Sequence, residues 1–185
     1  MSIVIGGSIL SLDGFMSGPN GDLSRLYPDL EALRGEEMIQ RSMRRTGAVV
    51  MGRRAYDMAQ GDFTGYEYQT PIFVLTHEPP ATPTKGQNDR LTITFVTDGV
   101  HSAIAQARAA AGDKDVTVVG GAQTFQACLR GGLLDELEIS VMPVLLGEGL
   151  RLFDHLGPQG VDLERTDVIA SPTGRTDMWF RVKKG

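Results

Sequence analysis

The chain has 185 residues, 41% hydrophobic and 22% charged, with 23 acidic side chains against 18 lysines and arginines for a net charge of −5. That is long enough for one domain (1–185) to bury a full core, and the acidic balance lacks the broad basic field of a general nucleic-acid or membrane-surface binder. A single cysteine, Cys128, rules out an intrachain disulfide, and with three scattered histidines (His77, His101, His155) no zinc-type cluster can be assembled, so no metal is expected.

The apolar opening Ile3–Leu10 follows no basic segment and is soon interrupted by Asp13-Gly14. It reads as a buried first strand and not as a signal peptide or membrane span, which makes a cytoplasmic protein the expectation. Asp13 either forms an Asx-turn or faces a ligand, and the glycine-punctuated loop Phe15–Gly21 can adapt over one as a lid. From about Asp29 to Arg45, Leu30, Leu33, Met38, Ile39 and Met43 recur at helical spacing. Glu31, Glu36 and Glu37 lie on that helix; a glutamate there is solvated unless it faces a pocket, where a raised pKa would let it handle protons.

Ala48–Met51 is the next strand, inside a stretch carrying Arg41, Arg44, Arg45, Arg53 and Arg54 and no acid. The first three read as the solvated, basic last turn of the helix. Arg53 and Arg54 directly follow the strand, at the sheet edge where open α/β folds bind ligands, and guanidinium forks match phosphate oxygens. Ile72–Leu75 ends at the same edge in Thr76-His77, either a loop cap or a phosphate and adenosine contact. The stretch 78–90 is a loop, Ile93–Val96 a strand, and His101–Ala111 an alanine-rich helix stopped by Gly112.

Val116–Val119 runs into Gly120-Gly121 and then a helical pattern, Ala122–Arg130, ending at Gly131-Gly132. A strand passing through paired glycines into a helix is either a tight turn or a cradle for an anion on the free N–H groups of the helix. Leu137, Ile139 and Val141 then alternate with polar residues, the period of a strand with one wet face. Val161–Ala170 and Thr176–Val182 flank Ser171-Pro172-Thr173-Gly174 as a β-hairpin. Alternating strands and helices followed by strands alone imply an α/β fold with a parallel sheet finished by antiparallel strands.

Taken in order, Ser11-Leu12-Asp13-Gly14, Val50-Met51-Gly52-Arg53-Arg54-Ala55-Tyr56, Leu75-Thr76-His77, Val118-Val119-Gly120-Gly121-Ala122 and Pro143–Gly149 with Leu152-Phe153 resemble the dihydrofolate reductase-like superfamily. Within it the chain is most similar to the family of the riboflavin-biosynthesis reductase (the RibD C-terminal domain), in a small standalone form. The resemblance implies a three-layer α/β fold with a mixed, mostly parallel central sheet flanked by helices and a C-terminal antiparallel hairpin. It also implies NADPH as cofactor and a homodimer, with Pro143–Gly149 a candidate edge. By position, Gly52, Arg53 and Arg54 with Thr76 and His77 are expected at the 2′-phosphate. Gly120, Gly121, Ala122, Gln123 and Thr124 are expected at the pyrophosphate, Ile9 and Met16 beside the nicotinamide, and Phe125 closing the cleft. Asp13 and Glu36 are the candidate catalytic acids, Glu36 standing where dihydrofolate reductases carry the acid that binds the pteridine.

Two positions depart from the riboflavin-pathway pattern: Phe15 replaces a lysine after Asp-Gly, and Ala55-Tyr56-Asp57-Met58 replaces an Asp-x-Pro element. No zinc deaminase half precedes the domain, so the bifunctional riboflavin enzyme is not expected. The expected function is an NADPH-dependent reductase acting on a small heterocycle. That substrate is an aminopyrimidine of the 5-amino-6-(5-phosphoribosylamino)uracil type, a pterin or dihydrofolate, or another small carbonyl or imine. The competing expectation is a non-catalytic NADPH-binding module.

Overall fold

The apolar runs become neighbouring strands of one sheet in the computed structural model, which describes residues 2–158 and 160–184. In chain order the elements are β1 (Val4–Ser11), β2 (Phe15–Ser17), α1 (Leu30–Arg34), α2 (Glu37–Arg45), β3 (Thr46–Gly52), α3 (Arg53–Met58), β4 (Ile72–Leu75) and β5 (Ile93–Val96). There follow α4 (Val100–Ala111), β6 (Asp115–Val119), α5 (Ala122–Arg130), β7 (Glu136–Met142), β8 (Leu150–Arg151), β9 (Leu163–Ala170) and β10 (Thr176–Val182).

The eight-stranded sheet has the order β5-β4-β3-β6-β1-β7-β10-β9. Every pair from β5 to β7 is parallel, while β10 pairs antiparallel with both β7 and β9. This is the mixed, mostly parallel sheet with an antiparallel C-terminal hairpin that the alternating pattern implied. Parallel strands covered on both faces read as continuous apolar runs, and β3 shows why. Ala48 and Val50 join one core with α4 and α5, whereas Val49 and Met51 join a second with Tyr56, Phe63 and Tyr68. On β1, Gly6 makes room for Phe125: a Cβ there would stand 2.6 Å from the ring.

Two expectations change. The single helix from Asp29 to Arg45 is two, because Gly35 caps α1 and Glu36 begins α2 in extended backbone. Glycine and a non-helical residue together break the ladder of i to i−4 bonds. The polar face of β7 is not wet: Glu138 and Ser140 are 1% and 0% exposed. Their polar atoms are met inside. Ser140 Oγ donates to Asp177 at 2.5 Å, and the Arg45 guanidinium reaches Glu138 at 3.5 Å, Glu136 at 2.9 Å and Asp115 at 3.0 Å. Burial nevertheless pushes the Glu138 carboxyl above the usual range, with Arg45 pulling the other way. Among the described residues no helix is long and apolar enough to cross a membrane, and no group of three His, Cys, Asp or Glu side chains could hold a metal.

Candidate active site

The site begins with a difference in strand length. β6 leaves the sheet at Val119, level with Gly7 of β1 and Met51 of β3, while β1 continues beside β7 as far as Ser11. The chain turns there through Gly120 and Gly121, both left-handed (φ 64° and 79°), into α5. The notch above this turn opens into a cleft of about 1050 Å³, at the upper end of the range for small-ligand sites.

One side of the cleft is glycine-built. Gly120, Gly121, Arg54 and Ala55 line it, and a Cβ on Gly120 would stand 2.8 Å from that of Ala55. Gly52 and Thr124 meet just behind: a Cβ on Gly52 would lie 2.5 Å from Thr124 Oγ1. The N-terminus of α5 has no side-chain cap, so its first N–H groups remain free at this turn. Free donors, the helix dipole, glycines that admit close approach and a guanidinium in the same wall together suit an anionic group.

The roof is the loop from Met16 to Gly21 with Gly149 and Leu150. It is braced by a short antiparallel pairing of β2 with β8. Phe15 is buried, and the Arg151 guanidinium covers its ring at 4.3 Å while donating to the Asp13 carbonyl at 2.9 Å. The Asp13 carboxylate accepts from Ser11 Oγ at 2.5 Å and from the N–H groups of Leu146 and Gly147 at 3.1 and 2.8 Å. These bonds, the serine foremost, pull its pKa down to about 2. Asp13 therefore ties the 143–149 segment to the end of β1. It is not among the residues lining the cleft.

The rest of the lining is mainly aromatic and aliphatic: Leu23, Tyr27, Met58, Phe63 and Tyr66. Phe63 stacks edge-on against Tyr66 at 5.3 Å. Burial raises the pKa of both phenols, that of Tyr27 to about 12.

The structure brings Met16, Arg54, Gly120 and Gly121 into one cleft. Arg53 turns the other way, along the β3–β4 edge, where its Nε donates to Asp57 at 2.8 Å and its Nη1 to the Glu78 carbonyl at 2.6 Å. Thr76 lies beside it, 3.5 Å from Nη1, and His77 is exposed at the same edge. Gln123 is exposed on the first turn of α5, whereas the Ala122 and Thr124 side chains are buried against the sheet, leaving their backbone to face the turn.

Besides Asp13, three expected positions lie elsewhere. Phe125 packs in the core against Gly6, Leu134 and Phe153 instead of closing the cleft, because the bare backbone at Gly6 gives its ring a berth. Ile9 is sealed with Leu26 and Met142 in a separate apolar cluster. Glu36 faces the C-terminal hairpin: its carboxylate accepts from Ser171 Oγ at 2.6 Å, Thr173 Oγ1 at 3.2 Å and Arg175 Nη2 at 2.7 Å. It lines a separate cavity of about 60 Å³, with Tyr27 the residue common to both linings. With its acceptor sites engaged by the hairpin, Glu36 is not presented to the large cleft. What the sequence reading missed is the tyrosine side. The signal was the aromatic cluster Phe63, Tyr66 and Tyr68, set in a segment with no helical or strand period.

The family and the fold are shared with known proteins. The family model described as the RibD C-terminal domain matches residues 3–175. The uncharacterized protein YyaP of Bacillus subtilis is 26% identical over 151 residues, covering 78% of this chain and 76% of that one. A putative riboflavin biosynthesis protein from Shewanella sp. PV-4 superposes with a TM-score of 0.80 at 26% identity, covering 98% of this chain and 99% of that one. The fold also matches dihydrofolate reductase from Enterococcus faecalis, solved with NADP(H), at a TM-score of 0.64 and 13% identity, with 98% and 97% of the two chains covered. With a notch at the end of its central strand, a glycine cradle below it and a family match across nearly its whole length, this chain belongs to the RibD C-terminal domain family.

Proposed function

We propose that this protein is an NADPH-dependent reductase that transfers a hydride to a small heterocycle of the aminopyrimidine or pterin type. The observation that carries the reading is the left-handed Gly120-Gly121 turn under the uncapped start of α5, with Arg54 in the same wall. This arrangement fits a pyrophosphate: the bare Gly120 sits close against Ala55 and leaves the turn backbone open, and the N–H groups of Ala122, Gln123 and Thr124 are the natural donors. Arg53, Thr76 and His77 supply the 2′-phosphate contact at the β3–β4 edge, where Asp57 and Glu78 already hold the Arg53 guanidinium in place. When bound, the dihydronicotinamide supplies the hydride. The chain positions the reactants: Met16 and the roof loop shut water out from above, and Asp13 keeps that roof fixed through Leu146 and Gly147. Because Glu36 is engaged by Arg175, Ser171 and Thr173, water is the proton source in this reading.

The same engagement of Glu36 is the one observation that favours a binding module without turnover. Two measurements decide. Arg53→Ala should weaken NADPH by about 1.5–3 kcal/mol, roughly tenfold to a hundredfold, and leave NADH nearly unchanged. Equal loss for both dinucleotides removes Arg53 from the 2′-phosphate. Oxidation of NADPH is then followed with a panel of pterins and pyrimidines; tight binding with no oxidation by any of them favours the non-catalytic module.

A further inference from the structure

We propose that the tyrosine side of the cleft takes an uncharged, flat ring whose carbonyl or ring-nitrogen acceptors are met by the hydroxyls of Tyr27 and Tyr66, and that it rejects acceptors carrying a phosphate. The inference rests on the reading that the glycine side holds the dinucleotide, and it names the substrate class for the remaining space. Its basis is the distribution of charge and of free donors in the wall. Among the residues lining the cleft, Arg54 and Asp57 are the charged ones, and both belong to α3. The connecting segments before α1 and after α3 contribute Leu23, Tyr27, Phe63 and Tyr66.

The nearby charges do not suit an anion either: Arg25, exposed between Leu23 and Tyr27, is outside the lining and bears on the Asp22 carboxylate. Arg175 bears on Tyr27, but its guanidinium is 2% exposed and held by Glu36 and Asp177 at 2.7 Å each. The Glu67 carboxylate bears on both Tyr27 and Tyr66 and has only a long contact, 3.9 Å, with the exposed Arg34. In the roof, Arg151 is engaged by the Phe15 ring and the Asp13 carbonyl. A phosphate dianion on this side would lose water and gain no cation, and such unpaired charge is strongly disfavoured.

The donors point to what does fit. Tyr68, the neighbour of Tyr66 at 5.8 Å, has its hydroxyl satisfied by Ser42 at 3.1 Å. Among the described residues, the Tyr27 and Tyr66 hydroxyls have no such partner. Burial keeps both phenols protonated at any working pH, so each remains a neutral donor. Two phenol donors beside the half-buried ring of Tyr66, itself backed by the buried Phe63, match a planar ring with in-plane acceptors.

The test titrates the full-length protein, with and without saturating NADPH, by calorimetry. The probes are lumazine, 5-amino-6-ribosylaminouracil and the 5′-phosphate ester of the latter, a pair that differs only in the phosphate. The uncharged nucleoside is expected to bind at least tenfold more tightly than its ester. Tyr27→Phe and Tyr66→Phe should each weaken the uncharged rings about three- to tenfold while NADPH affinity stays put. Met58→Lys, at an exposed position in the lining, adds the missing cation and should narrow or reverse the preference. Equal or tighter binding of the ester to the wild-type protein overturns the inference, as does failure of every uncharged ring to bind. Failure of NADPH to bind, with the preference between nucleoside and ester intact, counts instead against the dinucleotide reading.

Discussion

Replacing Gly52 by alanine isolates one contact of the cradle. Gly52 has an ordinary backbone (φ −81°), so alanine meets no conformational penalty there and the whole effect is steric. Its Cβ would lie 2.5 Å from Thr124 Oγ1 but 3.6 Å from the Thr124 Cβ, which is normal contact. Thr124 is 5% exposed in the first turn of α5, so its hydroxyl moves only against packed neighbours. Overpacking of this kind costs about 1–3 kcal/mol. For a chain of this size that is a fall in Tm of roughly 2–12 °C. With Thr124→Ala in the background the offending oxygen is gone, and Gly52→Ala should cost less than about 0.5 kcal/mol, the usual scatter between independent sites. Urea melts of the four proteins give this coupling, and NADPH titration of the same samples reports the cradle: weakened in Gly52→Ala, recovered in the double variant. A Gly52→Ala penalty that is the same in both backgrounds would refute the steric account.

Gly120→Ala and Gly132→Ala place the same side chain at similar left-handed angles, φ 64° and 63°, but only Gly120 has a neighbour in the way. Gly132→Ala should cost the backbone penalty alone, about 1–2 kcal/mol, and Gly120→Ala more than that together with NADPH affinity; equal urea midpoints would contradict the packing argument. Arg175→Ala strands Glu36 and Asp177 in the interior and should destabilise by about 3–5 kcal/mol in urea; a loss under 1 kcal/mol would show the pair to be weak. Asp13 has a folded-state pKa of about 2, below the ordinary 3.8, so its carboxylate stabilises the fold above that ordinary value and loses the effect as pH falls towards 2. The stability gap between the wild-type protein and Asp13→Asn should therefore be present at pH 6 and shrink below pH 4; a gap unchanged to pH 2 would show that ionisation plays no part.

The glycine side of the cleft was legible because its backbone is written in short local patterns. A strand that ends in paired glycines, or in glycine and arginine, places those residues at a sheet edge whatever the rest of the chain does, and Gly120, Gly121 and Arg54 sit where that logic puts them. Position in a motif did not reveal side-chain direction. Arg53 and Arg54 are adjacent, yet one follows the β3–β4 edge and the other lines the cleft, because successive residues of a helix point about 100° apart. Glu36 and Phe125 were misjudged for a different reason: their partners, Arg175 and Gly6, are remote in sequence. The polar residues of β7 carried the same ambiguity, since a buried carboxylate with an arginine partner and a solvated one look identical in a periodicity. The tyrosines come from two loops, before α1 and after α3, whose shape no period encodes.

The early exit of β6 from the sheet has a consequence for how this site can change. The width of the notch is set by the pairing register of three strands and by backbone atoms at Gly52, Gly120 and Gly121, so few substitutions can alter that floor without disturbing the sheet. The rest of the lining is made of side chains outside the sheet, at Leu23, Tyr27, Phe63 and Tyr66 on connecting segments and Met58 at the end of α3, where a replacement changes shape and polarity but no strand pairing. The two halves can therefore diverge at different rates: a lineage built on this chain can change what the side-chain half of the cleft accepts one residue at a time while the glycine floor is inherited almost unaltered.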